Sequence, residues 1–102
     1  MKQIQSLDDF QQTVQHGVTL IDMYADWCGP CRMLAPIVEE LAEENPDATF
    51  AKVNIDDLPT LAQEFGVMSI PTLLYLKDGV LKDRTVGVVS KSAIQSKLDT
   101  LF

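Results

Sequence analysis

Cys28 and Cys31 are the only cysteines in the chain, and they flank Gly29-Pro30 directly after Trp27. A Cys-X-X-Cys pair can serve three chemistries. As metal ligands the two would need company, because a structural zinc site takes four ligands. The chain adds no further cysteine and a single histidine, His16, so no metal is expected. As a stabilising cross-link they would close a very short loop, where little chain entropy is at stake. As a redox pair they need only the surrounding sequence. Val18–Tyr24 is an apolar, β-rich run that reads as a buried strand, and a helical pattern begins just after the cysteines. At such a strand-to-helix junction, unpaired N–H groups and the positive end of the helix dipole favour a thiolate on Cys28. Two intervening residues let a helix-start backbone bring the sulfurs into bonding range. Cys28 can then attack a substrate disulfide, and Cys31 can release the product from the mixed disulfide.

Asp22 is the next residue with chemical promise. Strand alternation places it on one face with Leu20 and Tyr24, so a carboxyl is buried among apolar groups. Burial raises a carboxyl pKa. A buried acceptor near the helix start is placed to take the proton of Cys31 during release. Lys52 shares a face with Phe50 on the following strand and is a partner candidate for Asp22; the competing reading is a plain structural ion pair. Pro71, between Ile70 and Thr72, reads from residue types as a loop-to-strand boundary with an ordinary trans bond. His16, beside Gly17, reads as a solvent-facing residue at a helix end.

The elements that must hold these residues follow from periodicity and turn signals. A short strand is expected at Gln3–Gln5. Ser6 and Asp9 then open a helix whose Leu7, Phe10 and Val14 share a face, closed by Gly17. Leu34, Ile37, Val38 and Leu41 mark the helix after the cysteines, with Pro36 inside it as a kink signal. A strand at 48–55 follows, then a short helix from Pro59 to Gly66. Thr72–Leu76 and Val80–Val86 flank Asp78-Gly79, a hairpin signal. A last helix, capped by Ser90 or Ser92, faces Ile94, Leu98 and Leu101 inward. The first half is βαβαβ, hence parallel strands with right-handed crossovers; the hairpin adds antiparallel ones. The α/β expectation is a mixed sheet with helices on both faces, in a single domain over residues 1–102.

Composition narrows the partners. Eight basic and fifteen acidic residues give a net charge of −7, which repels phosphate backbones and anionic lipid, so neither nucleic acid nor a membrane is an expected partner. The N-terminal residues Met1-Lys2-Gln3-Ile4-Gln5 carry no apolar run of export-signal length, so a cytoplasmic location is expected. In a reducing compartment two cysteines are not a framework, which returns their spacing to chemistry.

Taken together, these residues resemble the thioredoxin family along nearly the whole chain. The matching pieces are Asp22-Met23-Tyr24-Ala25-Asp26-Trp27-Cys28-Gly29-Pro30-Cys31, Ala35-Pro36, Lys52-Val53-Asn54-Ile55-Asp56, Gly66-Val67, Ile70-Pro71-Thr72, Asp78-Gly79 and Val86-Gly87, in family order and spacing. The resemblance implies a thioredoxin fold, a central five-stranded mixed sheet flanked by four α-helices. It implies an exposed nucleophile at Cys28, a buried resolving thiol at Cys31, an acid/base residue at Asp22 with Lys52 beside it, and a cis bond before Pro71. Trp27, Gly29, Pro30, Ile70, Val86, Gly87 and Val88 would border the apolar groove where protein clients dock. The implied partners are a flavin- and NADPH-dependent thioredoxin reductase and oxidised client proteins. The chain would act as a monomer with no bound cofactor of its own. Met23 departs from a frequent aromatic, and Met68-Ser69 occupy a variable pair. Met68 reads either as an adaptable rim of the groove or as a packing residue.

Two rival functions stay open at this level. A disulfide oxidant or isomerase favours a strongly stabilised thiolate, and Gly29-Pro30 supplies no cation for one, so reductase is the expected direction. A pure docking module would leave the cysteines idle, and replacing both by Ser separates it from a reductase.

Overall fold

The computed structural model describes residues 1–102. Nine elements follow in order: β1 (Lys2–Gln3), α1 (Leu7–Val14), β2 (Val18–Tyr24), α2 (Gly29–Glu44), β3 (Thr49–Asn54), α3 (Pro59–Glu64), β4 (Thr72–Lys77), β5 (Val80–Val86) and α4 (Lys91–Asp99). β2 has every residue but Tyr24 buried, as its unbroken apolar run requires of a strand covered on both faces. It pairs in parallel with β3 and antiparallel with β4, and the full order is β1-β3-β2-β4-β5. The five-stranded mixed sheet with four helices stands as expected.

Side-chain alternation splits the core in two. Ile21, Met23, Val53 and Leu74 face α1 and α3, meeting Phe10, Val14 and Leu61. Leu20, Phe50, Leu73 and Tyr75 face α2 and α4, meeting Leu34, Val38, Leu41 and Leu98. No helix is long and apolar enough to cross a membrane.

This connectivity gathers the candidate residues at one end of the sheet. β2 runs upward into the Cys28 loop. The antiparallel β4 starts beside its end, with Met23 opposite Thr72, and Thr72 is opposite Val86 at the end of β5. Cys28, Pro71 and Val86, far apart in sequence, therefore arrive together. Asp78 and Gly79 both take positive φ, +50° and +82°, which gives the two-residue turn a twist matching its strands.

Four expectations are corrected, and one open alternative is settled. The N-terminal strand is Lys2–Gln3 and not Gln3–Gln5. Ile4 still donates to the Lys52 carbonyl at 2.9 Å, but the Gln5 amide turns to the Asp9 carboxylate at 2.8 Å. Ser6 Oγ meanwhile accepts the Asp9 N–H, so the cap of α1 and its Asp9 carboxylate have captured the end of the strand. Leu7 is exposed, and Phe10 and Val14 alone carry the inner face of α1. The strand expected at 48–55 is Thr49–Asn54, the ends being taken by the turns around it. The Ile70–Pro71 bond is cis, as the resemblance implied and residue types alone did not. Ser90, not Ser92, caps α4, accepting the Ala93 N–H at 3.2 Å.

Candidate active site

β2 delivers the chain to Ala25, and the Cys28 amide donates to the Ala25 carbonyl at 3.2 Å to form a tight turn. Cys28 is the N-cap of α2. Its extended backbone (φ −88°, ψ 111°) aims the sulfur at the free amides of the first helical turn. Cys28 Sγ accepts the Cys31 N–H at 3.2 Å. Pro30 sits in that first turn, where a missing N–H costs nothing. The two cysteines are joined as a disulfide, their Cα atoms 5.3 Å apart.

The exposed-versus-buried contrast expected of the cysteines is absent: each is 4% exposed. In the disulfide each sulfur shields the other. The asymmetry lies in their neighbours instead. Cys28 Sγ is 3.8 Å from the Ile70 carbonyl oxygen, just before Pro71. Cys31, and not Cys28, lines a cavity of about 170 Å³, together with Asp22, Asp26, Glu39 and Lys52.

Asp22 is 3% exposed, and its Oδ1 has no hydrogen-bond partner. Burial pushes its pKa up to about 6, opposed by the charge of Lys52. Lys52 is directly opposite Asp22 in the β2–β3 register, yet the two form no close ion pair. Its ammonium lies 5.5 Å from the centre of the Tyr24 ring, a cation–π geometry. The structural ion-pair reading of Asp22 is therefore not what the side chains do.

The apolar rim assembles around Cys28. Trp27 is 67% exposed, Val86 55% and Val88 44%, with Pro30 exposed and Gly29 and Gly87 half-buried. Gly87 donates its N–H to the Pro71 carbonyl at 2.8 Å, which fixes the two rim segments to each other. Met68 is 97% exposed, so it is a rim residue and not a packing one. It lines a cleft with Trp27, Ile55, Val67, Ser69 and Ile70. His16 faces solvent as expected.

Sequence reasoning missed Ile55 and Val67 in this cleft, and it missed Asp56, whose Oδ2 accepts the Trp27 indole N–H at 2.9 Å. Ile55 and Asp56 were visible only as part of a matching segment, because nothing in a residue type announces a contact 29 positions away.

Comparison with known proteins agrees with this geometry. Residues 2–100 match the family described as Thioredoxin. A thioredoxin of Chlamydia muridarum is 47% identical over 94 residues, covering 92% of both chains. One of Staphylococcus haemolyticus is 45% identical, covering 89% of this chain and 88% of its own. Among solved structures, a variant thioredoxin of Halobacterium salinarum superposes with a TM-score of 0.93 at 37% identity, covering 98% of this chain and 88% of its own. That of Fasciola hepatica gives 0.92 at 31% identity over the full length of both. A disulfide placed at a helix start, on this sheet order and with these relatives, leaves one assignment: the chain belongs to the thioredoxin family of thiol–disulfide oxidoreductases.

Proposed function

We propose that the chain is a general protein-disulfide reductase in which Cys28 attacks and Cys31 resolves. The Cys28 thiolate attacks one sulfur of a client disulfide, forming a mixed disulfide and expelling the other client sulfur as a thiolate. Cys31 gives its proton to Asp22 and attacks Cys28 Sγ. The second client thiolate leaves, and the Cys28–Cys31 disulfide carries away the two electrons' worth of oxidation. The observation that carries this reading is the Cys31 N–H donated to Cys28 Sγ, since a donor aimed at that sulfur stabilises the thiolate needed for the first attack.

Trp27, Gly29, Pro30, Ile70, Pro71, Val86, Gly87 and Val88 form the surface against which the client lies. The exposure of Trp27, Pro30, Val86 and Val88, and the Ile70 carbonyl beside the sulfur just before the buried Pro71, support that reading. Lys52 biases Asp22 through space. An NADPH-dependent thioredoxin reductase restores the dithiol, and the protein works as a single-domain monomer in the cytoplasm. Support for the partner and the location comes from the family and from an acidic chain with no membrane-crossing helix.

The test couples the protein to a thioredoxin reductase, NADPH and insulin. Insulin reduction at catalytic amounts of the protein is expected, and Cys28→Ser with Cys31→Ser should eliminate it. Insulin left oxidised while the reductase turns over would overturn the client assignment.

A further inference from the structure

Trp27 poses a physical problem. A large indole that is 67% exposed has little packing to hold it, so its orientation must come from elsewhere. It comes from a closed ring of polar contacts between two loops. The Trp27 indole N–H donates to Asp56 Oδ2 at 2.9 Å, and the Asp56 amide donates to Asn54 Oδ1 at 2.9 Å. Asn54 Nδ2 donates to Asp26 Oδ2 at 3.4 Å, and Asp26 is covalently next to Trp27. The Asn54 carbonyl also accepts the amides of Asp57 and Leu58, at 3.1 and 3.0 Å, so the turn that carries Asp56 is itself pinned. Arg32 Nη1 steadies the other loop by donating to the Asp26 carbonyl at 2.7 Å. Asn54 is 7% exposed, and its amide has one possible orientation here. Its oxygen must meet the Asp56 N–H, which leaves its NH₂ for the carboxylate.

We propose that Asn54, acting through Asp56, is the positioning residue that holds the Trp27 indole as a fixed wall of the cleft lined by Ile55, Val67, Met68 and Ile70. It thereby sets affinity for protein clients without entering the cysteine chemistry. The inference rests on the reading that Trp27 borders the client surface. A preset wall removes the ordering cost that a loose indole would impose on each encounter. Small disulfides, which do not reach the cleft, gain nothing from it.

The experiment compares Asn54→Ala, Asp56→Ala, Asp56→Asn and Trp27→Ala. Each is assayed for insulin KM and kcat, and, after reduction, for the rate of reducing 5,5′-dithiobis(2-nitrobenzoate). Trp27 is the only tryptophan, so acrylamide quenching of its fluorescence reports the indole directly. Loss of one such hydrogen bond is expected to raise insulin KM roughly threefold to tenfold in Asn54→Ala and Asp56→Ala. In both variants kcat and the small-disulfide rate should hold and quenching should rise. Asp56→Asn, which keeps a carbonyl acceptor for the indole, should restore the original KM and quenching. Asp56 is exposed, so Asp56→Ala carries the test if Asn54→Ala does not fold. Looser tryptophan with unchanged insulin KM in Asp56→Ala, where Trp27→Ala does raise it, overturns the anchoring. An unchanged KM in Trp27→Ala overturns the client-surface reading beneath it. Small-disulfide and insulin rates falling together would place the ring's effect on the cysteines and overturn the proposal.

Discussion

The two sides of the Cys28–Cys31 disulfide differ in almost every physical respect. On the outer side Cys28 Sγ faces the Ile70 carbonyl and a rim of exposed apolar groups, Trp27, Met68, Val86 and Val88. On the inner side Cys31 opens to a cavity with Asp22, Asp26, Glu39 and Lys52. Exposed apolar area is what a partner surface needs, because covering it releases about 25 cal/mol per Å². Asp22 alone of the inner ionisable groups is buried, and a carboxyl out of bulk water is what proton transfer needs, because its pKa can be tuned. One covalent bond thus separates exposed apolar groups from a buried carboxyl, and the proposed division into client surface and proton-handling side rests on that difference. Equal burial of the two cysteines in the disulfide shows that residue exposure does not distinguish them there; their surroundings do.

The sharpest way to break the comparison is to remove one sulfur at a time. Cys31→Ser should accumulate mixed disulfides with oxidised clients, since attack from the outer side proceeds and resolution from the inner side cannot. Cys28→Ser should trap essentially none and lose all reductase activity. Brief iodoacetamide treatment of the reduced wild type should label Cys28 first, as the sulfur that receives the Cys31 amide. Equal trapping by both variants, seen on a non-reducing gel, would erase the distinction between the sides.

Asp22 tests the inner compartment alone. Its pKa of about 6 in the fold lies above the usual 3.8, so between those values the folded state binds more protons than the unfolded one. Stability therefore falls as pH rises from 4 to 6, and the full penalty of roughly 3 kcal/mol stands above that window. Asp22→Asn removes the charge. It should stabilise the protein by up to that amount at pH 7 to 8, with the gain vanishing below pH 4. The resolving step should slow by about a hundredfold, the low end of what a positioned base contributes, with solvent substituting in part. The slowing should be greatest above pH 6, where Asp22 can accept a proton, and should fade below it. Urea denaturation across pH and single-turnover kinetics measure the two effects, and a pH-independent stability difference would remove Asp22 from the proton path.

A smaller change sharpens the outer side. Pro30 lies in the first turn of α2 and is exposed, contributing neither donor nor charge to the thiolate. Pro30→His adds a donor within reach of Cys28. A charge-assisted hydrogen bond of about 1.5–3 kcal/mol stabilises the dithiol form and should raise the potential by a few tens of millivolts, at about 30 mV per 1.4 kcal/mol. Equilibration against a glutathione buffer measures it. A potential that stays put while the Cys28 pKa falls would separate thiolate stability from redox poise.

Much of this arrangement was legible in local sequence. β2 is bounded in the sequence where it is in the fold, because Gly17 and the Cys28 turn punctuate an unbroken apolar run. The cysteines and Asp22 were equally visible, since spacing and strand alternation are local properties. What escaped was set by competition or by distance. Ser6 and Asp9 advertise a helix start, but not that the Asp9 carboxylate would cut β1 short by taking the Gln5 amide. The isomer at Pro71 depends on tertiary surroundings that residue types do not encode. The Asn54–Asp56–Trp27 ring joins loops brought together only by β2–β3 pairing. Lys52 was legible only as a partner candidate for Asp22; neither its place directly opposite Asp22 in the register nor its contact with the Tyr24 ring was foreseeable from strand faces.

That contact defines the smallest expected effect. Lys52 lowers the Asp22 pKa through space, against the larger effect of burial, and no hydrogen bond links the two. A purely Coulombic influence has two signatures. Lys52→Met, which keeps an unbranched chain against Tyr24 and removes the charge, should move the Asp22 pKa further up. The pH dependence of both stability and resolution should then shift to higher pH with their shapes unchanged. Because Lys52 is only half-buried, solvent ions reach it, and added salt should move wild-type Asp22 in the same upward direction. In Lys52→Met that salt response should largely disappear. Carboxyl titration by NMR at low and high ionic strength reads both signatures on one nucleus. If the variant shifts Asp22 while the salt response persists in full, Lys52 acts by holding the Tyr24 ring over the cavity, and its charge is incidental. If neither moves, the inner compartment is tuned by burial alone.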